Sequence, residues 1–172
     1  MKALKITETK NFMGLLLKSD CFADFLLAEA SITTYNTFTI DGHIVSAFYK
    51  GDVNMPDVEV PYRYSCWMDL QDFCFQLIRG KRTPVCFHFT LYLKPEIRKE
   101  IFASEIFNKE QDSVPEELDQ FVLNVKYQEG TLTLITAVSY HSFVLDKSAE
   151  RIWDQYITHF LSAKSIPFEE NL

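Results

Sequence analysis

The chain has 172 residues, of which 47% are hydrophobic and 15% aromatic, and its net charge is −7. This composition excludes a disordered chain, and the length suits a single domain spanning residues 1–172. No apolar run approaches the roughly 18 residues that cross a bilayer, and no apolar segment follows the lysines of MKALKITETK, so we expect a cytoplasmic protein.

The sequence offers no pattern for a metal or a nucleotide cofactor. The cysteines show neither a C-x-x-C pair nor the paired spacing of zinc sites, so we expect all of them to be reduced and mostly buried. The glycine-rich motifs that bring backbone amides to phosphate groups are also missing. We therefore predict no cofactor and no metal. The cysteines are Cys21, Cys66, Cys74 and Cys86.

Residues 1–94 predict a β-α-β-hairpin-α-β order. Alternation in residues 2–7 favours a first strand, and Thr9 or Asn11 can cap a short helix. The Asp41-Gly42 pair, between an apolar stretch that ends at Ile40 and another from Ile44 to Tyr49, indicates a hairpin turn with Gly42 at positive φ.

A helix and a strand complete this half. Ser65 can cap a helix with apolar spacing from Trp67 to Ile78, and Gly80 suits its left-handed C-terminal position. Residues 85–93 then alternate strictly between apolar and other side chains, which predicts a strand.

The second half combines an acidic helical insertion, residues 95–120, with a β-meander and a terminal helix, residues 121–172. Pro95 opens a predicted helix that reaches Phe107, and Ser113-x-x-Glu116 resembles a capping box. The meander is expected to consist of three strands, followed by a helix of i, i+3, i+4 spacing and a terminus that frays or docks on another chain. These segments are residues 121–127, 131–138, 140–145, 148–163 and 165–172.

These elements predict an α+β fold. We expect antiparallel sheet, about six to eight strands in all, packed against about two to four helices.

One face of the predicted strand 85–93 carries Cys86, His88 and Tyr92. We consider it a candidate binding surface, and His88 would meet His141 if their strands were neighbours. A Cys/His pair supports nucleophilic catalysis when the thiolate is stabilised and accessible. The alternative is that these side chains are half-buried sheet residues without a chemical role.

Glu29 lies within an apolar run. Burial on both faces of a sheet would raise its pKa and favour a functional role, whereas on a one-sided antiparallel sheet it points to water. The second arrangement is the expected one.

Basic residues form another candidate site for phosphate groups. Positive charge at the end of a helix also stabilises the helix dipole, and no aromatic residues are interleaved with this cluster as stacking platforms. Residues 1–94 carry ten basic and ten acidic residues, while residues 95–172 carry seven and fourteen, so the charge disfavours DNA as a partner. The basic candidates are Lys10, Lys18, Arg79, Lys81 and Arg82.

Three segments carry a family resemblance: MKALKIT, EASITTYNTFTIDG and GTLTLITAVSYHSFVLDKSAERIWD. Through them the chain resembles a small uncharacterised bacterial family, known as a domain of unknown function. No activity is associated with that family, so the resemblance implies no catalytic residue.

The order of elements, ending in LNVKYQEGTLTLITAVSYHSFVLD, also resembles one domain of a DNA sliding clamp. This resemblance implies that the helices with Lys10, Lys18, Arg79 and Lys81 would face DNA. The acidic segment 95–120 and the long terminal helix depart from the clamp pattern, and one domain makes a ring only by self-assembly.

The sequence favours a non-catalytic cytosolic binding protein whose partner is another protein or a second copy of the chain. No set of nucleophile, base and oxyanion donors can be assembled from it. A clamp-like DNA-associated accessory protein is the alternative, and a small-molecule enzyme with an unrecognised site is the third.

Overall fold

The computed structural model describes residues 1–51, 54, 56–104 and 114–171, and only the backbone of Asn171. This part of the chain contains eight β-strands and four α-helices, so the predicted α+β class is confirmed. The strands are β1 Ala3–Ile6, β2 Phe25–Thr33, β3 Thr37–Asp41, β4 Ser65–Cys66, β5 Cys86–Leu93, β6 Leu118–Gln128, β7 Thr131–Tyr140 and β8 Phe168–Asn171. The helices are α1 Thr9–Lys18, α2 Trp67–Ile78, α3 Pro95–Ala103, α4 Ser148–Ala163 and a 3₁₀ helix at Ser46–Tyr49.

The eight strands form one antiparallel sheet in the order β3-β2-β5-β6-β7-β1-β8, and the short β4 pairs with the first part of β2. The loops after β3, β5 and β7 leave the sheet at one end, where β6 begins. We call this end of the sheet the loop end. The tight turns β2-β3 and β6-β7 lie at the opposite end.

All four helices pack on the same face of the sheet. Strict alternation in β5 places its apolar side chains on this face, and the i, i+3, i+4 spacing of α4 supplies a matching apolar stripe. Aromatic rings join each helix to the sheet or to the rings on it. These contacts are Phe12 with Phe22, Phe22 with Phe25, Trp67 with Phe89, Phe102 with Phe121 and Trp153 with Phe121.

The predicted hairpin at Asp41-Gly42 is wrong. The chain reverses earlier, between Thr33 and Thr37, and Asp41 ends β3. Gly42 has no positive φ and instead lies against the backbone of β2. The apolar stretch that follows makes one isolated bridge, His43 with Tyr64, and then the 3₁₀ helix.

The predicted third strand of the meander is also wrong, because the residues after Tyr140 form a loop. The described part of the terminus does not fray: β8 pairs with β1, and Ile166 just before it is 2% exposed. Without β8, the edge of β1 that faces away from β7 would have no partner strand. The local sequence does not reveal that this edge is available to the C-terminal segment.

The ends of α2 differ from the prediction. Ser65 belongs to β4 and does not cap the helix, and Gly80 has no positive φ because the chain already becomes extended at Arg79. The predicted helix after Pro95 is confirmed as far as Ala103. Phe107 and Ser113 lie outside the described residues.

Candidate functional site

The face of the sheet that points away from the four helices carries the polar candidates. We call it the open face. On it His88 pairs with Ser31 on one side and with Lys126 on the other. His88 Nε2 lies 3.1 Å from Asn124 Oδ1, and the Thr90 hydroxyl donates to the same oxygen at 3.2 Å. This hydrogen-bonded group lies in the middle of the open face.

The predicted candidates on β5 share the open face but do not meet. Cys86 and Tyr92 are six residues apart, which is roughly 20 Å along a strand. The condition for His88 to meet His141 is not fulfilled, because β6 lies between β5 and β7 and His141 follows β7 at the loop end. Glu29 is exposed, as expected for a one-sided sheet.

Aromatic side chains gather where β5 reaches the loop end. The rings of Tyr64 and Tyr92 meet edge to face at 5.0 Å, and the His43 ring lies 4.7 Å from the Tyr64 ring. Arg63 Nε donates to His43 Nε2 at 2.8 Å, and its guanidinium lies 5.7 Å from the Tyr64 ring. The bridge between His43 and Tyr64 brings the two segments together.

A carboxylate group lies near the start of β6, at the same end of the sheet. Asp119 lies at an irregularity in the pairing of β6 with β7, and its two oxygens have different neighbours. The Ser139 hydroxyl donates to Oδ2 at 3.2 Å, while His141 Nε2 lies 3.6 Å from Oδ1. Burial raises the pKa of Tyr92, and its neighbours Tyr64 and Asp119 raise it further.

Tyr92 therefore relates the two groups: its ring contacts Tyr64, and the charge of Asp119 acts on its hydroxyl. We call the whole set the loop-end cluster. Its members come from five separate parts of the chain, and Arg98 of α3 adds a hydrogen bond to the backbone carbonyl of Asp119. The loop-end cluster consists of His43, Arg63, Tyr64, Tyr92, Asp119, Ser139 and His141.

Ser139 is not arranged as a serine nucleophile. In a serine nucleophile pair the hydroxyl donates to a base such as histidine, but here the Ser139 hydroxyl donates to Asp119, which also holds His141. Among the described residues, no group of three His, Cys, Asp or Glu side chains could hold a metal ion. The cluster offers rings for stacking and several hydrogen-bonding groups.

Large apolar side chains are exposed in the loops of the same end. Phe143 and Leu145, in the loop between β7 and α4, are 89% and 83% exposed, and Phe48 of the 3₁₀ helix is 83% exposed. These residues were predicted to lie in strands. Folded proteins seldom expose several large apolar groups in one region without a partner for them.

The basic candidates are all exposed, on α1 and after α2. Lys18 Nζ lies 4.5 Å from the Phe75 ring, so the end of α1 contacts α2. The exposed surface of α2 itself carries Asp69 and Asp72. Lys10 lies in the first turn of α1, eight residues or roughly 12 Å from Lys18. Carboxylates therefore share the helical surface with these cations.

Sequence reasoning found Tyr92, considered His141 only as a partner for His88, and missed the other members of the loop-end cluster. The alternation Tyr62-Arg63-Tyr64 was an available signal for one part of it. Asp119, Ser139 and His141 come together only through the register of β6 with β7, which local patterns do not encode.

The fold and the site define a two-layer α+β protein with a one-sided antiparallel sheet and a polar, aromatic cluster at one end of its open face. The chain matches a family of unknown function (DUF5721) over residues 15–169, and it belongs to that family. No curated protein and no solved structure matches it. Within the described residues, no helix is both long enough and apolar enough to cross a membrane.

Proposed function

We propose that this is a non-catalytic binding protein that holds a partner protein at the loop end. The observation that supports the proposal is the exposure of Phe48, Phe143 and Leu145 in loops of the loop end, the end of the sheet that also carries the loop-end cluster. Buried aromatic and aliphatic anchors contribute most of the affinity of protein interfaces, and tyrosine and arginine are common among them.

The charge of the loops indicates the chemistry of this partner. Exposed charges of both signs flank the apolar side chains along the chain: Lys50 and Asp57 follow the 3₁₀ helix, and Asp146 and Lys147 follow Leu145. A complementary surface would present apolar side chains with charged residues of both signs around them. We therefore propose a partner with an apolar segment flanked by charged residues.

The cytosol is the compartment that we propose for this binding. The four cysteines are free, and two of them, Cys21 and Cys74, are buried. Free thiols are typical of a reducing compartment.

Photo-crosslinking in the native host tests the partner and the surface together. A photoreactive phenylalanine analogue replaces Phe143 in one strain and Gln128, an exposed residue at the opposite end of the sheet, in a control strain. We expect one protein to be crosslinked from position 143 and not from position 128. Equal crosslinking from both positions, or from neither, would contradict the proposal.

The second part of the test measures the affinity of the protein for the partner that crosslinking identifies, purified separately. Leu145→Asp places a charge where an apolar anchor is expected, so affinity should fall by about 10-fold or more. Lys81→Asp, on the surface after α2, is the matched control and should leave the affinity within about 2-fold. An affinity that is insensitive to Leu145→Asp would remove the loop end from the interface.

A clamp-like DNA-associated accessory protein is the second candidate. The contact of Lys18 with α2 favours it, because it brings a cation of α1 to the helix that precedes Arg79, Lys81 and Arg82. Duplex DNA binding should then be measurable at low salt and should weaken steeply as salt is added. If no binding is measured at low salt, this candidate is excluded. We expect that result, because the carboxylates of α2 would repel the phosphate groups of DNA.

A further inference from the structure

The strand β3 lies at an edge of the sheet. It pairs with β2 on one side, and none of the described residues pairs with its other side. From Ala30 to Ile40 the chain contains no charged residue, no proline and no glycine. Before its last residue, Asp41, the strand β3 is uncharged and carries threonine, phenylalanine and isoleucine, and such an edge is one to which another strand adds readily.

The opposite edge differs in the features that block such pairing. β8 follows Pro167 and carries Glu169 and Glu170. Proline and charged side chains protect edge strands from pairing with other chains. β3 follows no proline and carries a charge only at its last residue, Asp41, so it is the less protected of the two edges.

We propose that β3 pairs antiparallel with β3 of a second copy of this chain, with the two-fold axis at Thr39, so that the two sheets become one continuous sheet. The proposal concerns self-association, and it is independent of the partner proposed for the loop end.

The residues of β3 are self-complementary in this register. A two-fold axis at Thr39 places Phe38 opposite Ile40 of the other copy, Thr37 opposite Asp41, and Thr39 opposite itself. The side chains of Phe38 and Ile40 point to the helical face, because they pair with the buried Ile32 and Ala30 of β2. Apolar residues therefore meet apolar residues, and no carboxylate meets its copy.

The burial of β3 and the charge around it also support pairing with a second copy of the chain. Phe38 and Ile40 are only half-buried in one copy, and a second copy would cover them. The net charge of −7 would oppose self-association if it were spread evenly. However, residues 1–94, which include β3, carry ten basic and ten acidic residues, so this edge belongs to the neutral half.

Disulfide crosslinking tests the register. In the proposed dimer the two Thr39 Cα atoms lie about 4.5 to 5.5 Å apart, within the range of a disulfide. Mild oxidation of Thr39→Cys should therefore give a covalent dimer. Thr37→Cys is the matched control, because its two copies would lie about four residues, or roughly 13 Å, apart and should not crosslink. The wild type, oxidised in parallel, gives the background from the native cysteines.

Analytical ultracentrifugation of the full chain tests whether the chain dimerises through the edge of β3. We expect a concentration-dependent dimer for the wild type, and at least a 10-fold weaker dimer for Thr39→Lys, which places two positive charges opposite each other. Thr131→Lys, at an exposed position of β7, should dimerise like the wild type. A monomeric wild type at the highest soluble concentration, or a dimer that Thr39→Lys does not weaken, would overturn the proposal.

Discussion

Gly42 lies so close to Leu27 that a side chain cannot fit between them. A Cβ atom added at Gly42 would lie 1.8 Å from the carbonyl oxygen of Leu27, and the Gly42 amide donates to the carbonyl of Ala28 at 2.9 Å. Residues 27–29 are also where the pairing of β2 with β5 shifts its register. The absence of a side chain therefore lets the chain after β3 pass directly against β2.

Gly42→Ala should accordingly lower the free energy of unfolding by about 3 kcal/mol, because the backbone of β2 must move to admit a methyl group. Gly14→Ala is the matched control. Nothing lies within 4 Å of a Cβ at Gly14, and alanine is the better helix former there, so this variant should be more stable by roughly 0.5–1 kcal/mol. Urea denaturation measures both, and equal effects of the two substitutions would contradict the close approach.

Gln71 connects α1 to α2 and should be sensitive to substitution. It is 6% exposed, and its amide donates to the carbonyls of Leu16 and Ser19, which end α1. Leu16 also accepts a hydrogen bond from Trp67, but Gln71→Leu leaves the Ser19 carbonyl without this donor. We expect a loss of about 2 kcal/mol in unfolding free energy.

Gln76→Leu, at an exposed position of the same helix, is the control and should stay within about 0.5 kcal/mol of the wild type. Thermal and urea unfolding measure both variants. If the two substitutions destabilise equally, the buried amide does not hold the helices together.

The parts of the fold that could be predicted depend on local patterns. β5 alternates because it is buried on one face, and α4 keeps its apolar residues at helical spacing, so both were recognised from neighbouring residues. The Asp41-Gly42 pair has the composition of a turn, but its glycine is required by a contact with Leu27, which is distant in sequence. Local patterns do not contain that information.

The candidate site was less predictable than the fold for the same reason. Alternation placed Tyr92 correctly on the open face, yet its neighbours Tyr64 and Asp119 come from other parts of the chain. Asp119 reaches the cluster through an irregularity in β6, and a one-residue change of register would move it to another position. Such a site becomes visible only once the strands are paired.

The hydrogen bond between Tyr62 and Glu96 should give a measurable pH signature. The Tyr62 hydroxyl donates to the Glu96 carboxylate. This bond raises the pKa of Tyr62 to about 12 and lowers the pKa of Glu96. The stabilisation should therefore be lost in acid, as the pH falls through the lowered pKa of Glu96. In alkali it should be lost as the pH rises from 10.0, the ordinary tyrosine value, through about 12.

In Tyr62→Phe the pKa of Glu96 should rise toward its ordinary value, which NMR titration of the side-chain carboxyl measures. Tyr49→Phe replaces a tyrosine of the 3₁₀ helix and should leave the pKa of Glu96 unchanged. An unaltered pKa of Glu96 in Tyr62→Phe would show that the bond does not persist in solution.

The C-terminal strand should be held by apolar burial more than by its ion pairs. Ile166 is 2% exposed, whereas Lys2 Nζ and Glu170 Oε1, 2.6 Å apart, belong to half-exposed side chains. Ile166→Ala should therefore cost about 2–4 kcal/mol of unfolding free energy, through lost transfer energy and a cavity. Glu170→Ala should cost less than about 1 kcal/mol, because exposed ion pairs are screened by water and salt. Urea denaturation compares the two, and a larger effect of Glu170→Ala would mean that charge, and not burial, anchors β8 to β1.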